Sequence, residues 1–175
     1  IPVLTLINKM DLPGRPPLEL MAEVEEVLGI HASAINWPAG TGAEFAGVVN
    51  RAERELLLFT KMAAGGAAKA KMTRLPLDSP EAAALSEDIR ETLSHDLELL
   101  DVAGNPFTRD AFLGGEVTPV FFAPALTNFG IENFFDAFVD LAPSAGARPA
   151  HRLDGAEMTI DPVQTPFSAY VFKLQ

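Results

Sequence analysis

The 175-residue sequence contains no cysteine, a single tryptophan, a single tyrosine and few basic residues. Without cysteine, neither a disulfide framework nor a thiolate metal site is possible. Lys and Arg number 13 against 24 Asp and Glu, which gives a net charge of −11. Because phosphate binding needs clustered cations, we expect no direct DNA binding and no general grip on nucleic acid. No apolar run approaches the length of a membrane span, and no leader pattern opens the sequence, so a cytoplasmic, water-soluble protein is predicted.

Two strand–loop–helix units frame the sequence. In the first, an apolar run at residues 3–7 leads into a helical pattern that starts near Pro16 or Pro17 and ends at Gly29. The apolar positions of that helix are Leu20, Met21, Val24, Val27 and Leu28. In the second unit, a strand at residues 117–122 precedes a helix that Pro143 ends. Its apolar positions are Ile131, Phe134, Phe135, Phe138 and Leu141. An unbroken apolar run is typical of a strand covered on both faces, so residues 3–7 are predicted to be a central parallel strand of a doubly wound α/β sheet.

Residues 31–115 separate the two units and are too many for a simple connection, so they are predicted to fold as an inserted subdomain. Asp78 or Ser79 is suited to cap a helix that has Pro80 and Glu81 in its first turn. The apolar stripe of that helix comprises Leu85, Ile89, Leu93 and Leu100. The pattern predicts a largely helical insertion, with a mobile Ala- and Gly-rich loop at residues 63–71.

The composition changes again near the end of the sequence. Residues 144–165 are rich in Pro, Ala and Gly, which indicates a linker. Residues 167–172 then alternate like a half-buried strand. We therefore expect residues 166–175 to begin a separate β domain.

A polar motif directly follows the first predicted strand. Residues 8–11 are Asn-Lys-Met-Asp, at the carboxyl end of a parallel strand, where ligands usually bind. An ionised Asp11 can accept from the N1–H and the N2 amine of guanine, whereas adenine offers a lone pair where a donor is needed. We expect Asn8 to tether the neighbouring loop and the base edge, and the alkyl stem of Lys9 to lie on the base plane. The alternative is a polar turn between strand and helix.

A second motif follows the second predicted strand. Residues 123–126 are Ala-Pro-Ala-Leu. The backbone N–H of Ala125 is suited to donate to guanine O6, and Leu126 belongs to the same predicted base-binding loop. Two such motifs, in this order at two strand ends, favour guanine recognition over a polar turn.

Longer segments resemble bacterial peptide-chain release factor three, a family of translational GTPases. The resemblance covers essentially the whole chain, and its most specific parts are residues 35–42, Phe45, 47–48, 115–122 and 128–131. It implies that the family's base-binding residues correspond to Asn8, Lys9, Asp11 and Ala125. Pro124 stands where the family usually has Ser or Thr, so the hydroxyl that braces the carboxylate loop is missing.

The resemblance also implies a fold and its division into domains. Residues 1–30 and 116–143 correspond to the C-terminal half of a doubly wound, P-loop-type GTPase sheet. Residues 31–115 correspond to an extra subdomain of the GTP-binding domain, and residues 166–175 to the first strand of a following β-barrel domain.

The function implied for the longer protein is GTP hydrolysis that helps to release and recycle decoding release factors from the ribosome. The implied cofactors are GTP or GDP with Mg²⁺, and the implied partners are the ribosome and the decoding release factors. An elongation factor G-like GTPase and a non-catalytic partner-binding module remain alternatives. Residues 37–38 and 119–122 favour the release factor over the elongation factor.

A phosphate-binding loop is missing from the sequence. It would need Gly-x-x-x-x-Gly-Lys-Ser/Thr, yet no lysine here follows a glycine. We therefore expect this segment to start partway through a longer chain whose upstream part binds phosphate and Mg²⁺. The segment itself is expected to contain no catalytic or metal-binding residue and not to hydrolyse GTP alone.

Other suggestive groups have simpler explanations. The Asp-x-x-Gly matches at residues 11–14 and 101–104 are attributed to chance. Residues 94–96, Ser-His-Asp, are consecutive on a helix, cannot bond in series as a catalytic triad and are predicted to lie on the surface. The acidic side chains of residues 87–101 are predicted to solvate a helix face, with docking of a basic ribosomal stalk protein as the alternative. The phenylalanines of residues 121–138 are predicted to be core.

Overall fold

The computed structural model of the chain describes residues 1–60, 71–124, 131–167, 169 and 173. The chain divides into two compact units, Ile1–Leu141 and Ala142–Gln175. The described strands of the first unit are β1 (Thr5–Asn8), β2 (His31–Ala34), β3 (Asn36–Ala39), β4 (Gly47–Asn50), β5 (Glu55–Thr60), β6 (Lys71–Pro76) and β7 (Val117–Ala123). Its described α-helices are α1 (Pro17–Leu28), α2 (Glu87–Ala103), α3 (Arg109–Gly114) and α4 (Ile131–Leu141).

Within the described residues, a parallel sheet has the strand order β1-β7-β2. Every residue of β7 is buried, including the polar Thr118, as in a strand covered on both faces. The prediction that residues 3–7 form a central strand is wrong for the described part of the chain. β1 begins at Thr5, pairs there with β7 alone, and its first three residues are only half-buried. The α/β class is confirmed, with parallel and antiparallel sheets in one chain.

An antiparallel sheet with the order β3-β4-β5-β6 occupies much of the predicted insertion. The prediction of a largely helical insertion missed this sheet, and it also missed β2, which pairs with β7 in the parallel sheet. All four residues of β3 are buried, so the strand lacks the alternation that normally identifies one. The three consecutive leucines of β5 suit a helix as well as a strand. Gly47 is required in β4 because a Cβ there would collide with the backbone carbonyl of Leu57.

Helix α2 packs against the antiparallel sheet through buried leucines, Leu93, Leu97 and Leu100. The predicted start at Asp78 or Ser79 is wrong, because the hydroxyl of Ser86 caps the helix by accepting from the Ile89 backbone N–H at 3.4 Å. Ser79 instead accepts from Ala82 N–H at 3.2 Å, at the start of a short 3₁₀ helix, Ala82–Ala84. The extended backbone of Leu85 separates the two helices.

Helix α1 has the ends that its sequence predicts. Pro17 is its first residue, and the left-handed Gly29 (φ 67°) ends it by donating its N–H to the Glu25 carbonyl at 2.8 Å. Met21 is buried, but Val27 and Leu28, which were predicted to belong to the apolar stripe, are exposed.

Helix α4 is less buried than its phenylalanines suggest. Phe134 packs edge-to-face on Phe121 with ring centroids 5.5 Å apart, whereas Phe135 and Phe138 are exposed. The prediction that all these aromatic residues are core is therefore wrong for Phe135 and Phe138.

The second unit contains an antiparallel hairpin of β8 (Arg148–His151) and β9 (Glu157–Ile160). The predicted linker missed this hairpin, whose turn places Gly155 at φ 82°. The strand predicted at residues 167–172 and the mobile loop predicted at 63–71 lie largely outside the described residues. No helix in the described part of the chain is long and apolar enough to cross a membrane.

Candidate functional site

The two predicted base-binding motifs begin side by side at one edge of the parallel sheet. β1 and β7 are paired so that Asn8, the last residue of β1, lies opposite Ala123, the last residue of β7. Both strands end at this point, and the two loops that follow them begin side by side. The adjacency predicted from two strand ends is therefore seen in the structure.

The first motif is a tight turn. The Lys9 backbone is left-handed (φ 65°), its carbonyl accepts from Leu12 N–H at 3.0 Å, and its N–H donates to Asn8 Oδ1 at 2.7 Å. Met10 is buried, and its carbonyl accepts from Gly42 N–H at 2.8 Å. The turn is thus held by backbone hydrogen bonds and by one buried side chain.

The polar side chains of the turn differ in their exposure. Asn8 and Lys9 are exposed, and Asp11 is half-buried. Within the described part of the chain, the Asp11 carboxylate makes no hydrogen bond and no ion pair. A half-buried carboxylate without protein donors is able to accept two donors from a ligand.

The second motif is described only in part. Ala123 and Pro124 are buried. Ala125 and Leu126 lie outside the described residues, so the donation from Ala125 N–H to guanine O6 stays a prediction.

Asn36 bonds the residue that precedes the second motif, and it was not among the predicted site residues. Its side-chain amide accepts from Phe122 N–H at 2.7 Å and donates to the Phe122 carbonyl at 3.1 Å. The ring of the next residue, Trp37, meets the Phe122 ring edge-on with centroids 5.0 Å apart. The signal in the sequence was an asparagine in an otherwise apolar segment, because a buried amide needs hydrogen-bond partners.

The acidic side chains of α2 were predicted to solvate a helix face, but two of them bond other parts of the protein. Asp96 is half-buried and accepts from Trp37 Nε1 at 3.1 Å. Asp101 pairs with Arg51 at 2.7 Å, and Arg51 also donates to the Ala34 carbonyl at 2.8 Å. These bonds join α2 to the antiparallel sheet and to the end of β2.

The fold and the site together define an α/β protein with a candidate ligand site where two parallel strands end. No family model matches the sequence. Peptide chain release factor 3 of Symbiobacterium thermophilum is 42% identical over 176 residues, which cover 100% of this chain and 32% of that protein. The protein of the same name from Synechococcus elongatus is 44% identical over 100% of this chain and 31% of its own length. That of Streptococcus uberis is 41% identical over 100% of this chain and 32% of its own length.

Over its whole length, the chain is similar to proteins named peptide chain release factor 3. It spans about a third of the length of these relatives, from 31% to 32%.

Proposed function

We propose that this chain is the guanine-base-binding segment of a translational GTPase of the release factor 3 type. The pairing of Asn8 with Ala123 supports this proposal most directly, because it brings two base-recognition motifs to one sheet edge. The identities of 41–44% with proteins named peptide chain release factor 3 support the same assignment.

The chemistry of the site suits guanine. The Asp11 carboxylate accepts from N1–H and from the N2 amine, and the Lys9 stem covers one face of the base. Ala125 N–H donates to O6, so that every polar atom on this edge of guanine has a partner. Sites that depend on such hydrogen bonds reject the wrong partner by about four to five orders of magnitude.

The backbone of Lys9 argues against a simple polar turn. A left-handed residue other than glycine costs about 1–2 kcal/mol, and a turn without a function would favour Gly or Asn at such a position. Lys9 has φ 65° and an exposed side chain, and contact of that side chain with the base would explain why a lysine stands at this position.

The longer protein, in this proposal, binds GTP or GDP, hydrolyses GTP with Mg²⁺ held by residues outside this chain, and works on the ribosome in the cytoplasm. There it helps to release and recycle decoding release factors. The relatives described above are named as release factors and not as elongation factors, which supports this role over an elongation factor G-like one. In the same proposal, residues 31–115 form the extra subdomain of the GTP-binding domain, although β2 at their start pairs with β7 in the parallel sheet. Residues 144–165, which contain the β8–β9 hairpin, connect it onward, and residues 166–175 begin a β-barrel domain.

The test is Asp11→Asn in the full-length protein. The new amine donor would face the N2 amine of guanine, and two opposed donors cost about 1–3 kcal/mol, so GDP affinity should fall roughly 5- to 150-fold. Xanthine has a carbonyl oxygen in place of that amine and keeps N1–H, so the asparagine amide matches both atoms. Preference should therefore switch to xanthosine diphosphate.

Calorimetric titration with both nucleotides in one buffer measures the switch, and a melting curve confirms that the variant is folded. Asp110→Asn is the matched control, since Asp110 lies exposed in the first turn of α3 and belongs to neither motif. If folded Asp11→Asn keeps its guanine preference, or loses both nucleotides equally, Asp11 does not bind the base.

A further inference from the structure

Strand β7 extends beyond its backbone partner on the β2 side. The pairing with β2 ends at Ala34 opposite Val120, and Ile35 N–H adds one more bond to the Val120 carbonyl at 2.9 Å. β7 continues to Ala123 and leads into the second base-binding loop. At Ile35 the chain leaves this sheet and enters β3 of the antiparallel sheet.

The side chain of Asn36 replaces the missing strand at Phe122. A primary amide offers the same donor and acceptor as a peptide group, and Asn36 uses both on the backbone of Phe122, at 2.7 and 3.1 Å. Only 2% of Asn36 is exposed, so little water is available to take over either bond. On the opposite side, Ile7 of β1 is the register partner of the same residue.

These bonds lie next to the loop that is proposed to meet guanine O6. Phe122 precedes Pro124 by two residues and Ala125 by three. Pro124 has no N–H with which to continue a ladder of hydrogen bonds. Asn36 therefore holds the backbone of β7 one residue before the strand ends at Ala123.

We propose that Asn36 is a positioning residue for nucleotide binding, which holds the end of β7 so that the loop after Ala123 meets O6 of guanine. Asn36 does not touch the nucleotide and acts through Phe122. This inference rests on the proposed function. The two can fail separately because the N2 and O6 positions of the base can be probed separately.

The experiment uses the full-length protein and three nucleotides. Inosine diphosphate lacks the N2 amine, so its affinity relative to GDP reports on the Asp11 side of the base. The diphosphate of 6-thioguanosine keeps N1–H and N2 but has a weakly accepting sulfur at position 6, so its affinity relative to GDP reports on the O6 side. In the wild type we expect a preference for GDP over the thio analogue of roughly 3- to 10-fold, the effect of one hydrogen bond.

In Asn36→Ala, the preference for GDP over the thio analogue should fall toward one, while the preference for GDP over inosine diphosphate stays within about twofold of the wild-type value. A merely structural role would not separate the two preferences. Asn50→Ala is the matched control: Asn50 is the register partner of Asn36 in β4, yet its amide bonds Glu53 at 3.0 Å. It should change neither preference.

Melting curves establish that each variant is folded. If Asn36→Ala does not fold, Asn36→Ser keeps a polar group in the buried position but is too short to bond both atoms of Phe122, and the same separation is expected. The inference alone is overturned if a folded variant keeps the thio preference or if both preferences fall together. A wild type without the thio preference overturns the inference together with the proposed donation from Ala125 N–H to O6. A wild type with no preference for GDP over inosine diphosphate overturns the proposed function, and the inference with it.

Discussion

Replacing Lys9 by glycine is expected to stabilise the fold and to weaken nucleotide binding. The Lys9 backbone has φ 65°, and its side chain is exposed. Its N–H donates to Asn8 Oδ1, and its carbonyl accepts from Leu12 N–H. Both hydrogen bonds use only the backbone of Lys9, so they remain when its side chain is changed. Lys9→Gly therefore removes the Cβ strain and the ligand-facing stem but leaves the turn intact.

The effect on stability is the difference of two terms. Relief of the left-handed strain contributes about 1–2 kcal/mol, and the greater backbone freedom of glycine in the unfolded state costs about 0.5–1 kcal/mol. The net gain lies between about 0 and 1.5 kcal/mol, which raises the melting temperature of a domain of this size by up to roughly 6 °C.

The effect on binding comes from the lost stem. If two methylene groups lie on the base at about 0.8 kcal/mol each, GDP affinity should fall by about 1.6 kcal/mol, or roughly 15-fold. Calorimetric titration and nucleotide-free melting of the full-length protein measure the two effects. Lys9→Ala is the matched variant, since it removes the stem but keeps Cβ, and it should lose affinity without gaining stability.

Two results would refute this reasoning. Wild-type GDP affinity in folded Lys9→Gly would mean that the stem does not contact the base. A melting temperature lower than that of Lys9→Ala would mean that the left-handed backbone is not a source of strain.

Two further predictions concern the surroundings of the site. Glu25→Ala should lower the free energy of unfolding by about 1–3 kcal/mol, because the Glu25 carboxylate accepts from Ala32 N–H at 2.8 Å and from Asn105 Nδ2 at 2.7 Å. Chemical denaturation compares this variant with Glu26→Ala, whose side chain is exposed, and equal losses of stability would contradict the prediction. Pro124→Ser should strengthen GDP binding by about 1 kcal/mol, or roughly fivefold, because the serine hydroxyl would brace the carboxylate loop. An unchanged GDP affinity in calorimetric titration would mean that the loop is rigid without this hydroxyl.

Local chemistry explains which elements were predictable. The ends of α1 follow from Pro17 and Gly29, whose backbone preferences act without the rest of the fold. β7 follows from a largely apolar stretch rich in Val and Phe, which is typical of a strand covered on both faces. Both signals lie within a few neighbouring residues.

The antiparallel sheet was missed because its signals are not local. The four residues of β3 are all buried, and three of the four in β4 are, so neither strand shows the alternation of a half-exposed one. Their pairing depends on contacts between strands, and β5 contains leucines that suit either structure. The hairpin of β8 and β9 was missed for a related reason, since a segment rich in Pro, Ala and Gly resembles a linker by composition.

The polar turn at residues 8–11 could be placed at the end of a strand because its residues are consecutive and directly follow an apolar run. Asn36 differs, because its partner Phe122 is 86 positions away in the sequence. A polar residue in an apolar segment indicates that some partner exists, since burying an unbonded amide costs about 1–3 kcal/mol. The sequence does not indicate which partner, because that depends on where β2 stops pairing with β7 and on how the chain turns into β3. A residue that positions a site through a distant backbone can therefore be flagged by sequence as buried and bonded, but its role emerges only from the register of the strands.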